Sequence, residues 1–153
     1  MADTYTVIRD ITIDAPPHAI YPLIVDLRQW QKWSPWEGLD PDLHREYSGA
    51  DAGVGARYAW SGNRKAGKGT MQITDTTPDG AVRIRVTFEK PMSSTSDVDL
   101  TLEPSVGATA VTWTMTGKHS LFSRIAAPLG LFDKLLGKDF EKGLAQLKTV
   151  AES

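Results

Sequence analysis

Apolar and polar residues alternate along much of the chain, which is the pattern of β-strands with one buried face. The clearest run covers residues 82–89, in which every second residue is apolar and those between are charged or threonine. Similar runs predict strands at 5–14, 96–102 and 109–116, and weaker strands around 44–47, 58–60 and 71–73. Because short connections join the strands at 82–90, 96–102 and 109–116, we expect these three to pair antiparallel in sequence order.

Near the C terminus the spacing between apolar residues changes from two positions to three or four. Apolar side chains recur in this way from Phe132 to Ala151, which predicts one amphipathic helix over about 132–150 with Phe132, Leu136 and Phe140 facing the sheet. A second helical run follows the first strand, but Pro22 interrupts it and makes that helix short or kinked.

Together these elements predict an α+β fold. A curved antiparallel sheet of about six or seven strands wraps around the long C-terminal helix, with short helices after strand 1. The length of 153 residues fits a single domain, 1–153.

Composition excludes several classes of function. Cysteine is absent, so disulfides and thiolate chemistry are excluded. A net charge of -2 argues against a nucleic-acid partner, and no run approaches the roughly 20 apolar residues that cross a bilayer, so we expect no stable membrane insertion. The first residues lack the pattern of a signal peptide, which predicts a cytoplasmic protein.

Known catalytic and cofactor motifs are not matched. The segment 62–69 is close to a phosphate-binding loop, but Gly69 stands where that motif needs Ser or Thr, and a strand pattern follows it. His18, His44 and His119 lie in different elements without ligand spacing. We therefore expect no metal and no cofactor, and the sequence identifies no catalytic residue.

The inner face of the predicted sheet is wider than one helix can fill, which favours an internal cavity for a hydrophobic guest. Gly143, inside the apolar stripe of the helix, either allows close approach to the sheet or leaves space for a ligand. The predicted lining combines sheet and helix residues: Tyr58, Trp60, Met71, Ile84, Val86, Phe88, Trp113, Phe132 and Leu136.

Arg9 is unusual because it lies on the side of the first strand that is otherwise apolar. Either it reaches water at a strand end or bulge, or it binds an anionic group of a ligand in the cavity; in both cases we expect it to be at least partly buried with an anionic or carbonyl partner. The cluster of Trp30, Trp33 and Trp36 is interpreted as local packing, with a pocket gate as the alternative.

The order of elements and five short strings resemble the START-like (SRPBCC) superfamily, and within it the polyketide cyclase/dehydrase and lipid-transport branch. This resemblance implies a helix-grip fold and a cavity for an apolar or amphipathic molecule, without one shared activity or catalytic residue. The strings are IDAPP at 13–17, DLRQWQKWSPW at 26–36, FEKP at 88–91, VTWTM at 111–115 and GKDFEKGLAQLK at 137–148.

Three functions remain open at this point. The first, which we favour because the apolar-face positions offer no obvious carboxylate or histidine, is binding or transport of a small hydrophobic or amphipathic molecule in the cavity. The second is a polyketide cyclase or dehydratase-like enzyme acting on an aromatic or polyketide ligand, which would need an acid or base near the substrate. The third is an interaction module that works through its surface. The sequence does not determine the ligand or the oligomeric state.

Overall fold

The computed structural model describes residues 4–35, 41–63, 67–90, 94–118 and 131–153. Seven strands form one curved open sheet in the order β1-β7-β6-β5-β4-β3-β2, and all neighbours are antiparallel. The predicted fold class is therefore confirmed, and the three strands predicted to pair in sequence order do so as β5, β6 and β7. The strands are β1 (Thr4–Ile13), β2 (His44–Gly49), β3 (Ala56–Ser61), β4 (Lys68–Thr77), β5 (Ala81–Lys90), β6 (Ser94–Ser105) and β7 (Ala108–Lys118).

Two short helices follow β1, as expected. Helix α1 (Pro17–Val25) begins with a proline, which suits the first turn because its missing N–H has no partner there. Pro22 lies inside this nine-residue helix. A 3-10 helix (Leu27–Lys32) follows, and the Asp26 carboxylate caps it by accepting a hydrogen bond of 3.0 Å from the backbone N–H of Arg28. These helices close one end of the sheet, where the Thr109 hydroxyl donates to the carbonyl of Ala15.

The long helix α2 (Leu131–Glu152) covers the range predicted for it and packs against the inner face of the sheet, defined here as the face that it covers. Phe140, Leu144 and Leu147 are at most 1% exposed, whereas Lys138 and Lys142 are exposed on another side of the helix. The side chains of Phe132 and Leu136, also predicted to face the sheet, lie outside the described residues.

The centre of the core is a stack of aromatic rings. The Trp113 ring on β7 lies parallel to the Phe140 ring on α2, with 4.3 Å between centroids and 7° between planes. Trp30 and Trp33 meet the Trp113 ring edge-on at 5.9 and 5.7 Å. Their indole N–H groups donate to backbone carbonyls of α1, so these two tryptophans are core residues and not a gate. Trp36 lies outside the described residues.

Gly143 brings α2 close to this stack. A Cβ atom placed there would lie 2.8 Å from Cδ of Pro35 and 3.0 Å from Cζ3 of Trp113. Such distances leave no room for a methyl group, so the glycine serves close approach between helix and sheet, and no ligand space exists at this point.

Hydrogen bonds to Glu152 connect the last turn of α2 to the end of β1. Its carboxylate accepts hydrogen bonds from the Lys148 ammonium and from the backbone N–H of Asp14, while Lys148 also donates to the carbonyl of Thr12. The bond from Lys148, followed by that from Asp14, lowers the pKa of Glu152 below its ordinary value of 4.5. The ionised form therefore contributes to the stability of the fold.

We expect Glu152→Gln to lower the melting temperature at neutral pH, because it removes the charge that both donors stabilise. A carboxylate whose pKa is lowered by folding stabilises above its unfolded-state pKa, and this contribution is lost as pH falls through the folded pKa. The difference from wild type should therefore be constant above about pH 5 and shrink below it. Thermal melts across this range test it, with Glu103→Gln, an exposed carboxylate on β6, as the control. A difference that grows in acid would contradict the assignment.

Candidate functional site

Directly opposed residues of antiparallel strands share a face, so the cross-strand pairs divide the inner face into rows. One row crosses the middle of the inner face from β4 to β1, and every side chain in it is at most 4% exposed. Close packing there leaves no space for a guest. This packed row consists of Ile73, Ile84, Val98, Met115 and Val7.

Exposure rises in the two rows farther from α1. Met71 and Val86 are 8% and 7% exposed, and their row continues through half-buried Tyr58 and Tyr47 to the edge strand β2. The outermost row joins Arg45, Trp60, Gly69 and Phe88, of which the three with side chains are half-buried. The inner face is thus sealed in its middle and partly open at the end away from α1.

Four aromatic rings at this end form one continuous surface, here called the aromatic patch: Tyr47, Tyr58, Trp60 and Phe88. Tyr47 and Tyr58 stack with 5.0 Å between centroids, and Tyr58 and Trp60 stack at 5.9 Å with planes only 20° apart. Phe88 meets the edge of Trp60 at 5.7 Å. Half-buried aromatic rings in contact provide the kind of surface that binds apolar ligands.

Gly69 gives Trp60 its position in the patch. A Cβ at Gly69 would lie 2.6 Å from the Trp60 ring and 2.5 Å from the carbonyl oxygen of Thr87. The Trp60 indole therefore lies against the backbone of β4 at Gly69. Any larger residue at Gly69 would displace the ring.

The 3-10 helix holds the other end of the patch. The Arg28 guanidinium lies 4.9 Å from the centroid of the Tyr47 ring, and the Gln31 amide donates to the Tyr47 hydroxyl at 2.6 Å. A cation over a ring and a hydrogen bond to its hydroxyl fix the orientation of Tyr47. The patch is therefore fixed at Trp60 by Gly69 and at Tyr47 by the helix.

Arg9 lies on the inner face opposite Trp113, at the edge strand β1. Its side chain is 28% exposed, its Nε donates to the Glu141 carboxylate at 3.2 Å, and its Nη1 donates to the carbonyl of Ile8 at 2.7 Å. The prediction of partial burial with an anionic or carbonyl partner is confirmed, and both kinds of partner are present. The guanidinium rests on Gly137 of α2, where a Cβ would lie 2.0 Å from its Nη2. Arg9 thus connects β1 to α2.

The predicted lining residues fall into different environments. Ile84 and Trp113 belong to the closely packed core, at 0% and 1% exposure, while Met71 and Val86 lie beside the patch, in the same row as Tyr58. Tyr58, Trp60 and Phe88 belong to the patch itself.

Sequence reasoning missed Tyr47 and Arg45, although the alternation His44, Arg45, Glu46, Tyr47 in the weak strand was available as a signal. Arg45 and Tyr47 have the inward parity, whereas His44 and Glu46 are exposed and bonded to each other at 3.1 Å on the outer face.

The glycine-rich segment noted in the sequence borders this site, because Gly69 is its last residue. The glycine-rich segment is the connection from β3 to β4, closed by a hydrogen bond from Gly62 N–H to the Gly67 carbonyl, and a strand follows it as expected for a hairpin. His18 is exposed on α1, and His119 lies outside the described residues. Within the described ranges, no three His, Asp or Glu residues are grouped so as to hold a metal ion.

A family model described as polyketide cyclase / dehydrase and lipid transport matches residues 4–152. The chain belongs to this family. The resemblance drawn from the five strings is confirmed. A search among curated proteins found no match.

Solved structures with the same fold cover almost the whole chain. CV1439 from Chromobacterium violaceum superposes with a TM-score of 0.70 at 18% identity, covering 97% of each chain. The Aha1 dimer from Colwellia psychrerythraea gives 0.67 at 20% identity over 97% of this chain and 96% of that one. DynU16, from the dynemicin biosynthetic locus, gives 0.67 at 16% identity over 97% of this chain and 47% of its own. At these identities the likeness shows the fold alone.

Proposed function

We propose that this member of the polyketide cyclase/dehydrase and lipid transport family binds a small hydrophobic or amphipathic molecule on the aromatic patch. The observation that carries the proposal is the change in exposure along one face. The packed row is closed to water, while the aromatic rings farther from α1 are in contact with each other and are only partly buried. Met71 and Val86 would form the floor of the site.

The hydrophobic effect would supply most of the free energy of binding to the patch. Each 100 Å² of apolar surface that a ligand and the patch remove from water contributes about 2.5 kcal/mol. The patch costs little to organise, because Gly69 and the 3-10 helix already fix its two ends. A preformed apolar surface with a few polar groups beside it is typical of small-molecule sites.

The polar groups of the inner face favour binding over catalysis. General acid–base chemistry uses a carboxylate, an imidazole or a similar group within reach of the substrate. By parity, the described strands place the Tyr47 and Tyr58 hydroxyls and Arg45 near the patch, and they place no carboxylate or histidine on the inner face. The proposed function therefore follows the transport side of the family description.

No helix within the described part of the chain has the length and apolar character to cross a bilayer.

A fluorescent apolar probe tests this proposal. The uncharged dye phenylnaphthylamine is expected to bind the native protein at about one equivalent and to quench tryptophan fluorescence. Trp60→Ala should weaken this binding about tenfold or more, because it removes the largest ring of the patch. Fluorescence titration gives both dissociation constants, and a melting curve shows whether the variant is folded.

The matched control is Val54→Ala, which truncates an apolar side chain that is 57% exposed and outside the patch. It should leave dye affinity unchanged. Absence of dye binding by the native protein, or equal affinity of wild type and Trp60→Ala, would refute the proposed site.

A further inference from the structure

We propose that the outer face of the sheet, opposite to the face covered by α2, carries a second binding site, for a small molecule with a phosphate or carboxylate group. A groove of about 410 Å³ lies on strands β2, β3 and β4. Tyr47 and Tyr58 border it, although their side chains have the inward orientation of the aromatic patch. The outward-facing residues that line this outer groove are Glu46, Ser48, Arg57, Ala59 and Thr70.

The depth of the outer groove comes from a short side chain at its centre. Cross-strand pairing places Ala59 between Glu46 of β2 and Thr70 of β4. The methyl group of Ala59 reaches much less far from the sheet than the longer side chains around it. The hydroxyls of Ser48 and Thr70 border the same space, and each can donate a hydrogen bond to an oxyanion.

Two cations flank this centre from opposite sides. Arg57 comes two positions before Ala59 on β3, and Lys68 comes two positions before Thr70 on the antiparallel strand β4. Side chains two positions apart on a strand start about 7 Å from each other, which an arginine or a lysine can span. Both cations are exposed, and neither has a side-chain hydrogen bond or ion pair to any residue that the structure describes.

The arginines of β5 on the same face show the contrast. Arg83 and Arg85 lie opposite Asp99 and Asp97 of β6 and form ion pairs at 2.8 and 3.3 Å. Acidic cross-strand partners thus balance both of these arginines within the sheet.

The surroundings of Arg57 lack such a partner. The residues directly opposite it are Ser48 and Gln72, and neither carries a charge. Glu46 is the acidic residue of the outer groove, and its carboxylate is bonded to the His44 ring at 3.1 Å. The guanidinium of Arg57 therefore remains available to a ligand.

This arrangement matches the chemistry of an oxyanion with two or more negative charges. A guanidinium offers paired N–H donors to a carboxylate or a phosphate, while a lysine ammonium adds a compact positive charge. Arg57 would make the directed hydrogen bonds, and Lys68 would neutralise further charge from the other side. The site is separate from the aromatic patch, so it does not depend on the proposed function.

Pyrophosphate is the first probe of the outer groove, in an NMR titration of the backbone amides at constant ionic strength. We expect saturable changes in chemical shift at Arg57, Ala59 and Thr70. Citrate, titrated in the same way, distinguishes the two groups, because the anion that binds more tightly shows whether the site prefers phosphate or carboxylate. Failure of both anions to give saturable changes at these residues would overturn the proposal.

Arg57→Gln should weaken the binding of the preferred anion about tenfold or more, as expected for loss of charge-assisted hydrogen bonds. Arg83→Gln is the matched control, because it removes the same charge from the same face at a residue bonded to Asp99. It should leave the affinity within about twofold of wild type. An equal loss in the two variants would show general attraction to positive charge, and the proposed site would be wrong. Melting curves show whether each variant is folded.

The uncharged dye phenylnaphthylamine separates the two sites. Its dissociation constant for the aromatic patch should not change when the preferred anion saturates the protein, because the outer groove lies on the opposite face. Displacement of the dye by the anion would place the anion on the patch and refute the outer site. If the dye does not bind but the anion does, the proposed function fails while the outer site stands.

Discussion

Replacing Phe140 by alanine is expected to lower the free energy of unfolding by about 3–5 kcal/mol, the usual cost of removing a buried phenylalanine. Phe140 is 0% exposed, and its ring stacks on Trp113 at 4.3 Å in the centre of the core. Truncation would leave a cavity bounded by rigid rings that cannot collapse into it. Chemical denaturation of wild type and variant measures the difference.

Lys142→Ala is the control for this experiment, because it shortens an exposed side chain of the same helix. It should change the free energy of unfolding by no more than about 0.5 kcal/mol. A loss below about 1 kcal/mol for Phe140→Ala would mean that the ring borders open space, contrary to the packing described.

The two glycines of α2 are expected to respond to alanine in different ways. Glycine in a helix interior costs about 1 kcal/mol relative to alanine, so a substitution with room for the methyl group stabilises. At Gly143 the methyl group meets the Pro35 ring at 2.8 Å and the Trp113 ring at 3.0 Å. These groups are buried, and overpacking of this kind costs typically about 1–3 kcal/mol. We therefore expect Gly143→Ala to be destabilising despite its better helix propensity.

At Gly137 the obstruction is the end of the Arg9 side chain, which is flexible and 28% exposed. Arg9 can move aside at the cost of its surface ion pair with Glu141, which is worth about 0–1 kcal/mol. Gly137→Ala should accordingly be neutral or slightly stabilising, and it controls for helix propensity in the measurement on Gly143. Stabilisation by both substitutions would show that α2 does not approach the sheet closely at Gly143.

The alternation of apolar residues was sufficient to predict the antiparallel sheet, since side chains of a strand alternate between its faces. The patterns at residues 82–90 and 109–116 therefore indicated both the strands and their buried sides. From residue 132 the apolar residues recur every three or four positions, which predicted α2 because side chains at that spacing share one face of a helix. The five strings placed the chain in its family. Each of these inferences depends on residues close together in the sequence.

The position of the site was decided by the tertiary structure. Ile84 and Phe88 have the same parity on one strand, yet Ile84 is completely buried and Phe88 is only partly buried. The odd or even position of a residue in a strand determines which face of the sheet its side chain is on. Its burial depends on which part of that face is covered by α2 and the core tryptophans. The same limit applies to Arg9, whose partner Glu141 is 132 positions away, and to Gly69, whose role depends on the Trp60 ring from the neighbouring strand.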